Sequence, residues 1–489
     1  MRRAGELELA LGDRAADVPL QRWLCGALRA AILGGQVLPG GRLPSTRDLA
    51  RQLGISRGSV TMAYEQLVAE GYLTGTRGSG TRVVDSLPTL LAKTPEPCGD
   101  GGDRPRLSRQ GLGLADSPFA SREGAALPRP FGPNQPDLKA FPRVLWHRLG
   151  TRQSRFLRAD DMGYSDPAGY RPLRQAIADH LHFAQRIVCT ADNVMIVGSV
   201  QQALDLCGRL LLEAGDTALV EDPGYPGAAR IFELTGARVQ GVAVDASGLR
   251  TASLPSAKLA YVTAAHQSPL GGTLPIDRRL DLLAWAATHR AMILEDDYDG
   301  EYRFDGAPLP ALKSLDDRGH VIYLGTFSKL LFPALRLAYV VLPDWLVDAF
   351  GAAISLTCRH HPVFQQAVLA AFIAEGHFAR HLRQMRGLYA ARAQAFEAAC
   401  RDHLDGLLQV PPITTGLDAT AFLPGDADDR AVARSMVDWG IEARPISFYR
   451  LTQPAPPGLV LGFSSFDEET IRRGVAAMRP VLEAALKAG

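Results

Sequence analysis

Apolar residues recur at helical spacing from Leu20 to Leu33, at Leu20, Trp23, Leu24, Ala27, Leu28, Ala31 and Ile32, and Gly34-Gly35 ends the run. In RLPSTRDLARQLG, Ser45 followed three residues later by Asp48 forms a capping box that opens a short helix, and Gly54 turns the chain. Ser56 caps a third helix that runs to about Ala69 and closes at Glu70-Gly71. Residues 72–74 and 81–84 read as two short strands around the tip GTRGSG.

Farther along, the pattern changes to short apolar runs alternating with amphipathic helices. Such alternation predicts an α/β domain with a mainly parallel sheet. The predicted strands are Val194–Val197, Thr217–Val220, Leu259–Thr263, Met292–Leu294 and Val321–Leu324. Each leads into a polar or glycine-rich motif: GSV, EDPGYPG, HQSPLGG, EDDYDGEYR and GTFSK. Ligands of such sheets collect at the carboxyl ends of the strands, where all five motifs fall.

Between these regions, residues 85–127 hold eleven Pro or Gly among 43 positions and one aromatic, Phe119. A segment such as KTPEPCGDGGDRPRLSRQG cannot assemble a core and reads as a flexible linker. The expected organisation is therefore a module at 18–84, a linker at 85–127 and a large module at 128–489.

The 489 residues are 46% hydrophobic, enough for several cores, and carry a formal net charge of +1. That charge averages unlike parts. Residues 18–84 contain eight arginines and no lysine against Asp48, Glu65 and Glu70, a local balance of +5. The remainder is mildly acidic. A small basic module suits a polyanion, although a solvated charged face produces the same bias. No run approaches the roughly 20 apolar residues of a membrane span, and MRRAGELELALGDRAADVP lacks the apolar core of a secretory signal. Six scattered cysteines with no CxxC argue for free thiols in a reducing cytoplasm and against a zinc site.

Three helices followed by a two-stranded wing form the pattern of a winged helix-turn-helix, which lays its third helix in the major groove. Arg57, Ser59 and Thr61 stand near the start of that helix, with Tyr64 one turn on. Arg47 opens the preceding helix and Arg77 stands at the wing tip. Residues 43–81 closely resemble the GntR-type winged helix, whose hallmark LPS.R.LA..L..SR.TV..AY..L..EG.L....G.GT is met almost throughout. The departure is Gly58-Ser59, where Asn-Thr is usual. The resemblance implies double-stranded operator DNA as partner.

In the large module, Lys329 of GTFSK offers an amine whose burial would favour Schiff-base chemistry. Asp296 and Tyr298 lie two apart, so a strand puts them on one face, where a carboxylate can hold a pyridine nitrogen protonated and a phenol can bond the ring oxygen. Ser199 and Val200 open a helix whose free amides suit a phosphate. Tyr225 can stack on a flat ring and Arg336 can neutralise an anion. Taken singly, each residue also fits an ordinary structural place. Together and in this order they resemble the fold-type I aminotransferases, with their large and small lobes, from about FGPNQPDLKAFP (131–142) to the end of the chain.

That resemblance implies pyridoxal 5′-phosphate joined to Lys329, with Asp296 at its ring nitrogen, Tyr298 at its 3′-oxygen and Tyr225 stacked on the ring. The phosphate would take Ser199, Val200, Thr326, Ser328 and Arg336, joined by Tyr164 across a dimer interface. HQSPLGG stands where these enzymes carry an asparagine in an NP.G motif, and Gln267 or His266 takes its place. The arginine that holds the substrate carboxylate is missing from GLVLGFSSF (458–466), where its position falls near Val460. Arg444 is the nearest substitute, with Arg450 behind it.

A GntR-type winged helix, a long linker and an aminotransferase-like domain in one chain resemble the MocR/GabR family of bacterial transcriptional regulators. The resemblance implies a cytoplasmic, domain-swapped homodimer that needs no metal or membrane. In it an amino compound reacts with or binds beside the cofactor, held by its carboxylate at Arg444, and alters operator binding. A working aminotransferase with an appended DNA-binding domain, and a repressor using the aminotransferase fold only as a scaffold, are the alternatives.

Overall fold

The computed structural model describes residues 9, 11–12, 14–15, 17–76, 80–85, 106–119, 129–156, 162–306 and 310–488. They form two compact units, Met1–Arg106 and Leu107–Gly489. In the first, α1 (Leu20–Leu33), α2 (Thr46–Leu53) and α3 (Arg57–Ala69) precede a hairpin of β1 (Leu73–Thr76) and β2 (Gly80–Val83). Ser45 Oγ accepts the Asp48 amide at 3.2 Å and Ser56 Oγ accepts the Ser59 amide at 3.1 Å, so both expected caps form. Leu24, Leu28, Leu49, Val60, Ala63 and Leu67 are fully buried and lock the three helices together. This is the winged helix-turn-helix that the hydrophobic pattern predicts.

The second unit starts inside the stretch expected as linker. Its first helix, α4 (Arg109–Ala115), is capped by Ser108 Oγ on the Gly111 amide at 2.9 Å. There follow α5 (Arg143–Phe156), α6 (Arg171–Ala184), β3 (Val194–Val197), α7 (Val200–Leu211), β4 (Thr217–Asp222) and α8 (Pro226–Leu234). Next come β5 (Arg238–Asp245), β6 (Gly248–Leu249), β7 (Leu259–Val262), α9 (Ile276–His289), β8 (Met292–Asp297) and α10 (Leu312–Leu315). Then β9 (Val321–Thr326), α11 (Phe327–Leu330), β10 (Ala338–Val341), α12 (Asp344–Cys358), α13 (Val363–Ala374) and α14 (His377–Leu404) complete the large lobe and cross to the small one. The small lobe holds β11 (Asp418–Phe422), α15 (Asp429–Val437), β12 (Arg444–Pro445), β13 (Gly458–Gly462) and α16 (Glu468–Ala488).

Eight strands form one sheet in the order β3-β10-β9-β8-β7-β4-β5-β6. The pairs β9–β8, β8–β7, β7–β4 and β4–β5 are parallel, whereas β10 runs antiparallel to both its neighbours. VMIV, LAYV and VIYLGT are buried at every position, as strands covered by helices on both faces require. The sheet thereby brings the ends of β4, β7, β8 and β9 side by side. The small lobe is a three-stranded antiparallel sheet, β11-β13-β12, backed by α14, α15 and α16.

A buried ion pair ties the start of this domain to α14. Asp137 accepts from Arg392 Nη2 at 2.8 Å, both side chains being buried, and Arg392 also donates to the Ser464 carbonyl. Removing one partner of such a pair leaves a buried charge uncompensated. Asp137→Ala is expected to destabilise the second unit by about 3–5 kcal/mol, read as a lower denaturant midpoint of its unfolding transition with the winged-helix transition unchanged.

Candidate functional site

The motifs at the strand ends line one cavity of about 380 Å³, within the range of ligand pockets. Its wall includes Ser199, Val200, Tyr225, Asp296, Tyr298, Thr326, Ser328, Lys329, Arg336 and Arg444, ten of the residues that the sequence singles out. Ser199 caps α7 through the Gln202 amide at 3.2 Å, leaving the first amides of that helix at the cavity. Thr326 caps α11 through the Ser328 amide at 3.2 Å. Arg336 is exposed, and among the described residues its guanidinium makes no hydrogen bond or ion pair.

Lys329 Nζ donates to the Asn134 carbonyl at 2.8 Å. Burial depresses its pKa below the usual lysine value, against the opposing pull of Asp418, Asp299 and Asp296 and with help from Arg444. The amine therefore has a larger uncharged, nucleophilic fraction than a surface lysine. Asp296 is buried. Its Oδ2 accepts from Tyr261 Oη at 2.6 Å, while Oδ1 has no partner. Burial pushes this carboxyl up to about 7, reinforced by Asp297 and Asp299 and opposed by Tyr261 and Lys329. An unpaired buried carboxylate oxygen at the floor of a cavity calls for a donor, ideally a cationic N–H that would hold the group ionised. A protonated pyridine ring fits that demand. The aromatic side of Tyr225, the α7 amides and the hydroxyls of Ser199, Thr326 and Ser328 suit the rest of pyridoxal phosphate.

Arg444 reaches the cavity from β12, where it is the direct cross-strand partner of Val460 in β13. A guanidinium thus stands on the strand beside the one from which the expected arginine is missing. It packs over Phe448 at 4.9 Å, and Phe448 and Tyr449 also line the cavity. Asp222, at the end of β4, accepts the amides of Leu451, Thr452 and Gln453 at 2.8, 2.6 and 2.7 Å, which anchors this small-lobe loop to the large sheet. Arg450 is exposed and lies outside this wall.

Two expectations need correction. Gln267 is buried behind the wall: its amide nitrogen donates to Glu221, to the Pro223 carbonyl at 2.9 Å and to the Ser268 carbonyl at 2.7 Å, while its oxygen accepts the Leu270 amide. Ser268 faces the cavity instead. Counting back from Pro269 in SPLG, as from the proline of NP.G, finds it. Tyr298 lies one residue beyond the end of β8, yet still lines the cavity with Asp296. Tyr164 lies outside the cavity wall and is 84% exposed, with Arg359 over its ring at 5.2 Å.

The sequence also gave no role to Phe119. Its ring stacks on Tyr225 at 5.7 Å with planes 29° apart and forms part of the cavity wall. The segment holding it is fastened to α8 by Asp116–Arg230 at 2.7 Å, and α4 comes close enough that a side chain at Gly113 would have to push the Leu234 methyl aside. Its signal was that it is the lone aromatic in a Pro/Gly-rich stretch.

In the winged helix, Arg47 and Arg57 are exposed, and Ser59 and Thr61 are half-buried near the start of α3. Arg57 Nε donates to Thr46 Oγ1 at 3.4 Å, and Thr61 Oγ1 donates back to the Arg57 carbonyl at 3.0 Å. Tyr64 is different. It is 4% exposed, belongs to the core and donates to the Pro44 carbonyl at 2.9 Å, so packing rather than DNA occupies it. Arg77 lies outside the described residues.

Residues 145–478 match the family of class I and II aminotransferases, and residues 21–83 match the bacterial regulatory proteins of the gntR family. The chain is 39% identical over 470 residues to the probable rhizopine catabolism regulatory protein MocR of Rhizobium meliloti, covering 96% of this chain and 94% of that protein. It is 38% identical to the HTH-type transcriptional regulator TauR of Rhodobacter capsulatus, over 78% of this chain and 80% of TauR. Among solved structures it is similar to LysN, the alpha-aminoadipate aminotransferase of Thermus thermophilus complexed with N-(5′-phosphopyridoxyl)-L-leucine. That match has 27% identity and a TM-score of 0.68, over 73% of this chain and 93% of LysN.

Two substitutions separate contact from packing on α3. Arg57→Ala is expected to weaken duplex binding and reduce the salt slope by about one. Tyr64→Phe removes only the bond to Pro44, so affinity in the same titration should stay at the parent value.

Proposed function

The chain belongs to the MocR/GabR type of bacterial transcriptional regulators, in which a gntR-family winged helix and a class I and II aminotransferase domain share one polypeptide, and from that premise we propose that it is a pyridoxal 5′-phosphate-dependent sensor whose amino-compound effector alters operator binding. The observation that carries the cofactor half is the unpaired, buried Oδ1 of Asp296 in the same cavity as Lys329. When bound, the cofactor supplies an electrophilic carbon for amines and a ring that withdraws electrons.

The chain's residues do the rest. Asn134 orients the Lys329 amine, Asp296 accepts the ring N–H, and Tyr225 stacks on the ring. Ser199, Val200, Thr326, Ser328 and Arg336 take the phosphate through hydroxyls, helix amides and a free guanidinium, with Tyr164 contributed by a second copy. The exposed apolar side chains Val144, Phe156 and Leu356 support self-association through α5 and the end of α12. Arg444 clamps the effector's anionic end, in a wall otherwise aromatic at Phe448 and Tyr449.

Coupling to DNA requires that the effector bind one arrangement of the chain better than another. Phe119 supports a direct route. It stacks on Tyr225 in the cavity and belongs to the polypeptide that leads back to the winged helix, so an effector that displaces its ring acts on the connecting chain.

The alternative is a working aminotransferase, favoured by Lys329 and Asp296 and opposed by the relocated arginine. Steady turnover of an amino donor with a keto acid at roughly 1–1000 per second would support it over the sensor. For the sensor, spectral titration of the cofactor-loaded chain with ω-amino acids and other amines identifies the effector. Arg444→Ala is expected to weaken effector binding about ten- to a hundredfold, the size of a lost charge-assisted hydrogen bond, with cofactor colour retained. Phe119→Ala should keep cofactor and effector binding while reducing the effector's influence on DNA affinity. If that influence is undiminished, the route through Phe119 is wrong.

A further inference from the structure

Tyr298, at the cavity wall, has its hydroxyl 3.2 Å from Nδ1 of His266. The same nitrogen lies 2.9 and 3.0 Å from the two carboxylate oxygens of Asp299. His266 and Asp299 are both buried, and the imidazole lies nearly parallel to the Tyr298 ring, 5.8 Å away at 27°. His266 does not itself line the cavity. At the same edge of the ring lies Gly416, at φ +90°, where any side chain would collide with His266 Cε1 and Nδ1.

A ring nitrogen carries at most one hydrogen. A bare Nδ1 would set its lone pair against a carboxylate at hydrogen-bond distance, so Nδ1 carries the proton. This holds whether the ring is neutral or charged. Burial works against the charged form, but the charge and hydrogen bond of Asp299, with a contribution from Asp418 and against Arg303, shift His266 upward overall. Since Nδ1 is a donor, the Tyr298 hydroxyl cannot donate to it. Its oxygen can accept only a share of that N–H, and its own hydrogen is left for the cavity. The other charged or titratable groups facing Tyr298 are Asp418, Asp296 and Tyr449.

We propose that His266, oriented by Asp299, is a positioning residue that commits the Tyr298 hydroxyl to donate into the cavity, toward the ring oxygen of the cofactor. The proposal rests on the reading that pyridoxal phosphate occupies the site. A phenol donating to that oxygen stabilises its negative charge and opposes protonation of the bound cofactor. Replacing Asp299 by Asn frees Nδ1 to lose its proton and accept from Tyr298, which turns the phenol's hydrogen away from the cavity.

The test is a pH titration of the visible absorption of the cofactor-loaded full chain. Asp299→Asn and His266→Phe are expected to raise the midpoint of the colour change by about one pH unit, the order of one lost hydrogen bond. His266→Gln, which keeps an N–H donor, should restore most of the difference. In a Tyr298→Phe background, Asp299→Asn should add no further shift. Equal midpoints in all variants, or a shift from Asp299→Asn that persists without the phenol, would overturn the proposal. If the parent chain takes no colour with pyridoxal phosphate, the cofactor reading itself fails. The donor assignment is then decided in the cofactor-free chain by the ¹⁵N signals of His266, where a bare Nδ1 would refute it.

Discussion

Ionisable groups that water would ordinarily solvate are gathered at the carboxyl ends of β4, β7, β8 and β9, and the second unit is organised around holding them in a low-dielectric wall. Asp296, Glu221 and Glu295 are all pushed up to about 7 by burial, and Lys329 is pushed down by it. Groups so displaced from their ordinary values persist only where every remaining polar atom has a partner. Glu221 has Thr263 and Gln267, and Glu295 has the amides of Leu312 and Lys313. The exception is Asp296 Oδ1. With Gln201 Oε1, which also lacks a partner and belongs to a cavity-lining residue, that oxygen separates a structural cluster from a site built to receive a donor.

Around this wall, two stretches distant in sequence close the cavity, one ending at Phe119 and one running from β12 through Tyr449. The segment ending at Phe119 lies on α8, the loop with Phe448 and Tyr449 is pinned by Asp222, and β12 carries Arg444. The loop is anchored by half-buried hydrogen bonds and the Phe119 segment by an exposed ion pair, all outside the cavity, so the lining side chains are left available to a ligand. The relocated arginine follows from antiparallel pairing. Residues directly opposite on two strands project on the same side of a sheet, so a guanidinium at Arg444 reaches nearly the same space as one at Val460.

Much of this was legible in one dimension because the relevant signals are local. The caps at Ser45 and Ser56, the buried runs VMIV and LAYV, and the placement of Lys329, Asp296 and Ser199 each at the end of its own strand depend on spacing within a few residues. Tyr64 and Gln267 were misjudged for a common reason. Both carry polar atoms in a functional-looking motif, and both spend them on backbone carbonyls that come close only in three dimensions, Pro44 for one and Pro223 for the other.

The sequence alone determined that the chain joins a basic winged helix to an α/β domain, and which strand ends carry chemistry, because caps and hydrophobic periods are set by near neighbours. Only the tertiary structure decided that Ser268 rather than Gln267 faces the cavity, that Arg444 stands opposite Val460, and that Phe119 stacks on Tyr225. It alone set Tyr298, His266 and Asp299 in one line. Those relations join residues as far apart as Phe119 and Tyr225, and they exist only once burial has fixed which contacts each side chain must make.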